Sequence, residues 1–161
     1  MRNSWRKYRK AQPDPLRCLA ELVATFKGRI AICGDTTAGI ISRLLNRPVT
    51  VSLKNLDKDI PPAAEMEGVD MVTEGTVTLA KVAEMLDRGV ANEPSRKNPV
   101  SDLAALMLGS DIVQFVVGTR INEAHQDPNV PVELDLRRNI IRRIARLLDT
   151  KYLKETHVRF T

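Results

Sequence analysis

Cys33-Gly34-Asp35-Thr36-Thr37 ends one apolar run and opens one helical pattern. The same break recurs at Val72-Thr73-Glu74-Gly75-Thr76 and at Val117-Gly118-Thr119-Arg120-Ile121-Asn122. A strand, a Gly/Thr turn and a helix, repeated along a chain, is the pattern of a parallel α/β sheet, because parallel neighbours need a crossover between them. In such sheets ligands bind beyond the carboxyl ends of the strands, where helix starts offer unpaired N–H groups and the positive end of the helix dipole. The three turns are therefore expected to meet at one composite pocket.

The segments around these turns fill in the pattern. Asp14 as N-cap and Pro15 at the first helical position open an amphipathic helix with Leu16, Leu19, Leu22, Val23 and Phe26, closed by Lys27-Gly28. Arg29 to Cys33 reads as the first strand. A helix follows from Thr36 or Thr37 through Ile40, Ile41, Leu44 and Leu45 to Asn46, a residue that tolerates a left-handed stop. Pro48 to Leu53 alternates as a short strand, Asn55 to Pro62 reads as a loop, and Val69 to Val72 as the next strand. Thr76 to Arg88 is helical and ends on Gly89, and Val90 to Pro99 carries no periodicity and reads as a linker. Ser101 or Asp102 caps a brief helix. Ile112 to Val117, the most apolar strand, is expected at the centre of the sheet. A long helix from Pro131 to about Asp149 and an edge strand from His157 to Phe160 complete the chain. The expected fold is an α/β three-layer sandwich with a mostly parallel sheet of about five strands.

Composition places this pattern in one domain. A chain of 161 residues buries roughly 70% of its unfolded surface, enough for an independent core. Its 43% hydrophobic residues include only 4% aromatic ones, which suits an aliphatic α/β core and gives little surface for stacking bases. Arg2, Arg6, Lys7, Arg9 and Lys10 crowd the first ten residues, and the other 20 basic residues match the 20 acidic ones. The net charge of +5 is thus a property of a basic tail or linker at 1–13, while 14–161 forms the domain. Nucleic acid is accordingly not the expected partner. No apolar run is long enough for a membrane span, and Cys18 and Cys33 match no zinc or redox spacing. A cytoplasmic location with reduced thiols is expected.

Each turn offers different chemistry. Gly34, Asp35, Thr36 and Thr37 bring a flexible turn, two hydroxyls and a helix start together, which suits a phosphate or carboxylate; the plain alternative is that a threonine only caps the helix. Thr73, Glu74 and Gly75 add a carboxylate that can orient a ligand hydroxyl or favour the helix N-terminus through the dipole. Gly118, Thr119, Asn122, His125 and Gln126, with Asp127, make the most polar loop, where specificity is expected. On the long helix, Ile140, Ile141, Ile144, Leu147 and Leu148 form an apolar face, and Arg138, Arg142 and Arg146 an exposed row. Glu133 and Arg137, four apart on the apolar side, are expected to form a partly buried ion pair beside the third loop.

Taken in order, these motifs resemble a known family. Cys33-Gly34-Asp35-Thr36-Thr37-Ala38, Pro61-Pro62, Glu67 through Leu79, Gly118-Thr119 with Asn122, His125-Gln126-Asp127-Pro128, and Pro131-Val132-Glu133-Leu134 with Arg137 resemble the region that follows the catalytic domain in bacterial SpoIIE-like serine/threonine protein phosphatases. The likeness runs from about Pro13 to the C-terminus. Where that family reads Gly-Gly-Thr-Thr in the first turn, this chain has Gly34-Asp35-Thr36-Thr37. The resemblance implies an accessory domain acting with a phosphatase in cis or in trans. The aspartates that hold the two divalent ions of such phosphatases are not in this sequence, so no phosphatase chemistry and no metal site is expected of the chain itself. Three functions follow: a regulatory module that binds a small anionic molecule; an enzyme using Glu74 or His125 on a phosphorylated or nucleotide-like substrate; or an interaction or homo-oligomerisation domain without a ligand. The sequence specifies no cofactor.

Overall fold

The computed structural model describes residues 14–89, 97–118 and 130–161. The basic segment at 1–13, most of the linker-like stretch, and the loop carrying Thr119, Asn122, His125, Gln126 and Asp127 lie outside the described residues. The element order is α1 (Pro15–Thr25), β1 (Ala31–Cys33), α2 (Asp35–Leu45), β2 (Thr50–Val51), β3 (Ala64–Met66), β4 (Val69–Thr73), α3 (Thr76–Arg88), α4 (Pro99–Leu108), β5 (Ile112–Val117), α5 (Val130–Tyr152) and β6 (Glu155–Phe160).

Local chemistry accounts for most of these boundaries. Asp14 accepts the amide of Leu16 at 3.1 Å and Pro15 stands at the start of α1. Asn46 closes α2 at φ 52, ψ 43, the left-handed conformation that asparagine tolerates. Gly89 ends α3 at φ 96. The start of α4 differs from expectation. Asn98, not Ser101 or Asp102, is the N-cap; its side chain accepts the amides of Val100 and Ser101, and the Ser101 hydroxyl accepts the Asn98 amide, a capping box with serine in the third place.

The sheet departs further. Four strands run in the order β1-β4-β3-β2, and only β1 and β4 are parallel; β4 with β3 and β3 with β2 are antiparallel. β5 and β6 form a separate parallel pair. The expectation of a mostly parallel sheet of about five strands is therefore corrected to a mixed sheet and a two-stranded one. The cause lies in a hairpin at Glu67-Gly68, where two residues join β3 to β4 and Gly68 takes φ 76. The strand before it, β3, falls in a stretch with no sequence expectation of its own.

Two cores sit on opposite faces of the β1–β4 pair. Ile32 and Val72 join Val23 of α1 and Ala38 and Ile41 of α2 in the smaller core. Ala31, Cys33 and Met71, which alternate with them, pack with α3, α4, α5 and β5 in the larger one. Ile144 and Leu148 of α5 and Leu86 of α3 are fully buried there. The Arg29 side chain binds the Gly109 carbonyl and the Ser110 hydroxyl, tying the start of β1 to the turn before β5. Arg142 and Arg146 lie exposed as expected, with Arg138 half-buried; Arg138 and Arg142 stand 5.9 and 5.2 Å from the centre of the Phe160 ring. Among the described residues, no helix is long and apolar enough to cross a membrane.

Candidate binding site at the strand ends

The first two turns do come together. The Gly34 amide donates to the Thr73 carbonyl at 3.0 Å and the Asp35 amide to the Glu74 carbonyl at 3.2 Å. Gly75 approaches so closely that a Cβ there would stand 3.2 Å from the Gly34 Cα, and its φ of 129 suits only glycine. Gly34, at φ 142, is the N-cap of α2, and Gly75 that of α3. Two helices thus start side by side from two neighbouring strand ends.

Their N–H groups are only partly free. Two of the four amides that open α2, those of Gly34 and Asp35, are spent on β4 carbonyls. The amides of Thr36 and Thr37 have no hydrogen-bond partner among the described residues. At α3 the Glu74 carboxylate, one residue before the Gly75 N-cap, accepts the Val77 amide at 3.1 Å and so satisfies one of the helix's opening donors. Asp35 is exposed on the first turn of α2, beside Thr36. The two helix starts therefore carry a carboxylate each, Asp35 at α2 and Glu74 at α3.

Buried polar side chains lie at the strand ends and in the first turn of α3, and sequence reasoning only half anticipated them. Cys33 and Thr73 are register partners at the ends of β1 and β4. Thr73 is 2% exposed and its hydroxyl faces the Cys33 thiol; Thr78, in the first turn of α3, is fully buried, and its hydroxyl has no hydrogen-bond partner among the described residues. Arg137, on α5, acts on Cys33 through its charge, and its Nε is buried without a partner among the described residues. Burial pushes the Cys33 thiol up, against the smaller opposing effects of the Thr73 hydroxyl and the Arg137 guanidinium. A buried polar group left unpaired costs about 1 to 3 kcal/mol, and native chains keep few of them. Thr78 escaped the sequence reading because a threonine near a helix start looks like an ordinary first-turn residue.

The expected Glu133–Arg137 ion pair is not formed. Glu133 is exposed, Arg137 is half-buried, and neither is paired with a described carboxylate or cation. The helix explains the difference. With 23 residues α5 extends roughly 34 Å at 1.5 Å per residue, and its first turns run past the core, leaving Val132 and Leu136 exposed as well. Gly118 is exposed at the end of β5; the remainder of the third turn lies outside the described residues. A cleft of about 150 Å³, lined by Lys81, Glu84 and Asn98 among others, runs along α3 and the start of α4, away from the strand-end residues.

Compared with protein-family models, curated proteins and solved structures, the chain matches none.

Proposed function

We propose that the chain is a regulatory module that binds a small anionic molecule at the strand ends and acts with a SpoIIE-like phosphatase, in cis or in trans. The observation that carries this reading is a pair of buried polar atoms without partners among the described residues, the Thr78 hydroxyl and the Arg137 Nε, with the Thr73 hydroxyl and the Cys33 thiol facing each other at the strand ends. Such atoms are destabilising unless something satisfies them, and an anionic group with several acceptor oxygens matches a guanidinium, hydroxyls and the two free amides of Thr36 and Thr37. Asp35 and Glu74 at the mouth disfavour a highly charged anion, so the reading favours a ligand with one or two negative charges and hydroxyl donors. The phosphatase association rests on the ordered motif resemblance alone. The reading further takes the domain as a three-layer arrangement, supported by the helices on both faces of β1–β4, and places it in the cytoplasm, supported by the two free cysteines.

A thermal-shift panel of inorganic phosphate, nucleoside monophosphates and hydroxycarboxylates tests the binding. A true ligand at 100 times Kd adds about 2.7 kcal/mol of stability. The expected result is a concentration-dependent rise in Tm for one class, lost in Arg137→Met and kept in Arg142→Met. No rise for any class, or a rise that Arg137→Met leaves intact, contradicts the reading.

A further inference from the structure

The sheet's other end breaks the opposite rule, leaving apolar groups in water. Val51 lies opposite Ala64, and Ala64 opposite Val72, so their side chains share one face. Along that row exposure climbs from 2% at Val72, through half-buried Ala64, to 57% at Val51. It is the face of the smaller core, which α1 and α2 cover over β1 and β4 and leave open over β2. Val49 and Leu53, two residues to either side of Val51 and just outside the two-residue strand, are 36% and 78% exposed.

The backbone is open as well. β2 is the last strand in the order. The Ser52 amide donates to the Ala63 carbonyl at 2.8 Å, so the amides and carbonyls of Val51 and Leu53 point away from β3, by the alternation of an antiparallel ladder. Natural sheets usually blunt such an edge with charge, proline or brevity, and β2 itself spans only two residues, extended by the Ser52 bond to Ala63. Here Lys54 and Pro48 flank Val49 to Leu53 without interrupting it.

We propose that this edge joins two copies of the chain, β2 against β2, antiparallel about a two-fold axis. The stretch is self-complementary. Centred on Val51, such a pairing sets Val51 opposite its own copy and Val49 opposite Leu53, both with outward backbone groups. Arg47 then meets Asn55 and Lys54 meets Pro48, so no like charges oppose each other. A two-fold contact of this kind uses the same patch on both copies and closes without leaving an open edge. It also continues the uncovered apolar row across the axis.

Sedimentation across a range of concentrations tests the pairing on the full chain. A concentration-dependent dimer is expected, with Leu53→Lys weakening it at least about tenfold because each copy places a charge in the contact. Leu153→Lys, altering a residue 86% exposed between α5 and β6, is the control and should not change the dimer. Circular dichroism establishes that each variant is folded. A second test does not depend on charge. In a Cys18→Ser background, Val51→Cys should form an intermolecular disulfide under mild oxidation, since directly opposed residues of a hydrogen-bonded pair lie about 5.5 Å apart between Cα atoms, within disulfide range. A wild type that stays monomeric throughout, a dimer indifferent to Leu53→Lys, or a strand-adding foreign protein bound by the monomer in its place would overturn the proposal, as would the absence of the Val51→Cys cross-link.

Discussion

The strand ends of β1 and β4 and the open edge at β2 belong to one sheet and violate opposite rules. At the first, the Thr78 hydroxyl and the Arg137 Nε are buried with no partner among the described residues; at the second, Val51 and Leu53 hold apolar surface in water. Buried polar atoms and exposed apolar patches are the informative exceptions in a folded chain, because folding alone gives no reason for either. The difference lies in what would satisfy each one. Buried hydroxyls and a guanidinium call for a small polar ligand. An apolar face with unpaired backbone calls for another strand.

The largest expected effect tests the geometry of the first region. Gly75→Ala forces a Cβ to within 3.2 Å of Gly34 in a conformation reserved for glycine, and should lower stability by about 2 to 3 kcal/mol in denaturant unfolding. A loss comparable to that of an exposed-site control would mean that the two turns are not locked together.

The next effect has the opposite sign. Thr78→Val keeps the shape and removes an unpaired hydroxyl, so it should raise the stability of the ligand-free chain by about 1 kcal/mol, whereas Thr73→Val, which also removes the hydroxyl facing the Cys33 thiol, should gain less. Thr50→Val, on the exposed β2 strand, should change it little. Destabilisation by Thr78→Val would show that its hydroxyl is satisfied, and would remove the ligand argument.

Arg137→Met sharpens the comparison within α5. An ion pair broken from one side would cost about 3 to 5 kcal/mol. Because no described carboxylate pairs with Arg137, the substitution should be neutral or stabilising by up to about 1 kcal/mol, as replacing buried charge by a well-packed apolar side chain often is. Equilibrium denaturation of Arg137→Met beside Arg142→Met measures this directly.

The smallest effect is pH-dependent. Burial raises the Cys33 thiol above its ordinary value of 9.0, so the folded chain holds a proton that the unfolded chain releases. Stability from this residue is complete below the unfolded pKa and declines as pH rises through the interval up to the folded one. Wild type should therefore lose more stability than Cys33→Val above about pH 9; parallel curves would contradict it.

Much of this was legible from residue patterns, and the failures have physical causes. Pro15, Asn46 and Gly89 announced helix boundaries because each acts through its own backbone preference. The contact of the first two turns followed from β1 and β4 being parallel neighbours. β3 was missed because three residues, Ala64 to Met66, carry no period of their own; Glu67-Gly68 was the available hairpin signal. Periodicity placed Glu133 inside because it reports the face of a helix and is blind to how far the core extends along it. Burial without a partner, the property that singles out Thr78, depends on how α3 packs against α4 and α5 and has no local sequence signature.

Threonine methyl NMR tests the central claim most directly, because Thr73 and Thr78 report from inside the proposed site while Thr50 and Thr150 report from the exposed surface. Titration with the phosphate, nucleotide and hydroxycarboxylate panel should shift the Thr73 and Thr78 methyl signals in a saturable way and leave Thr50 and Thr150 unmoved. Buried signals that stay fixed under every class, or shifts confined to the exposed threonines, would contradict the account.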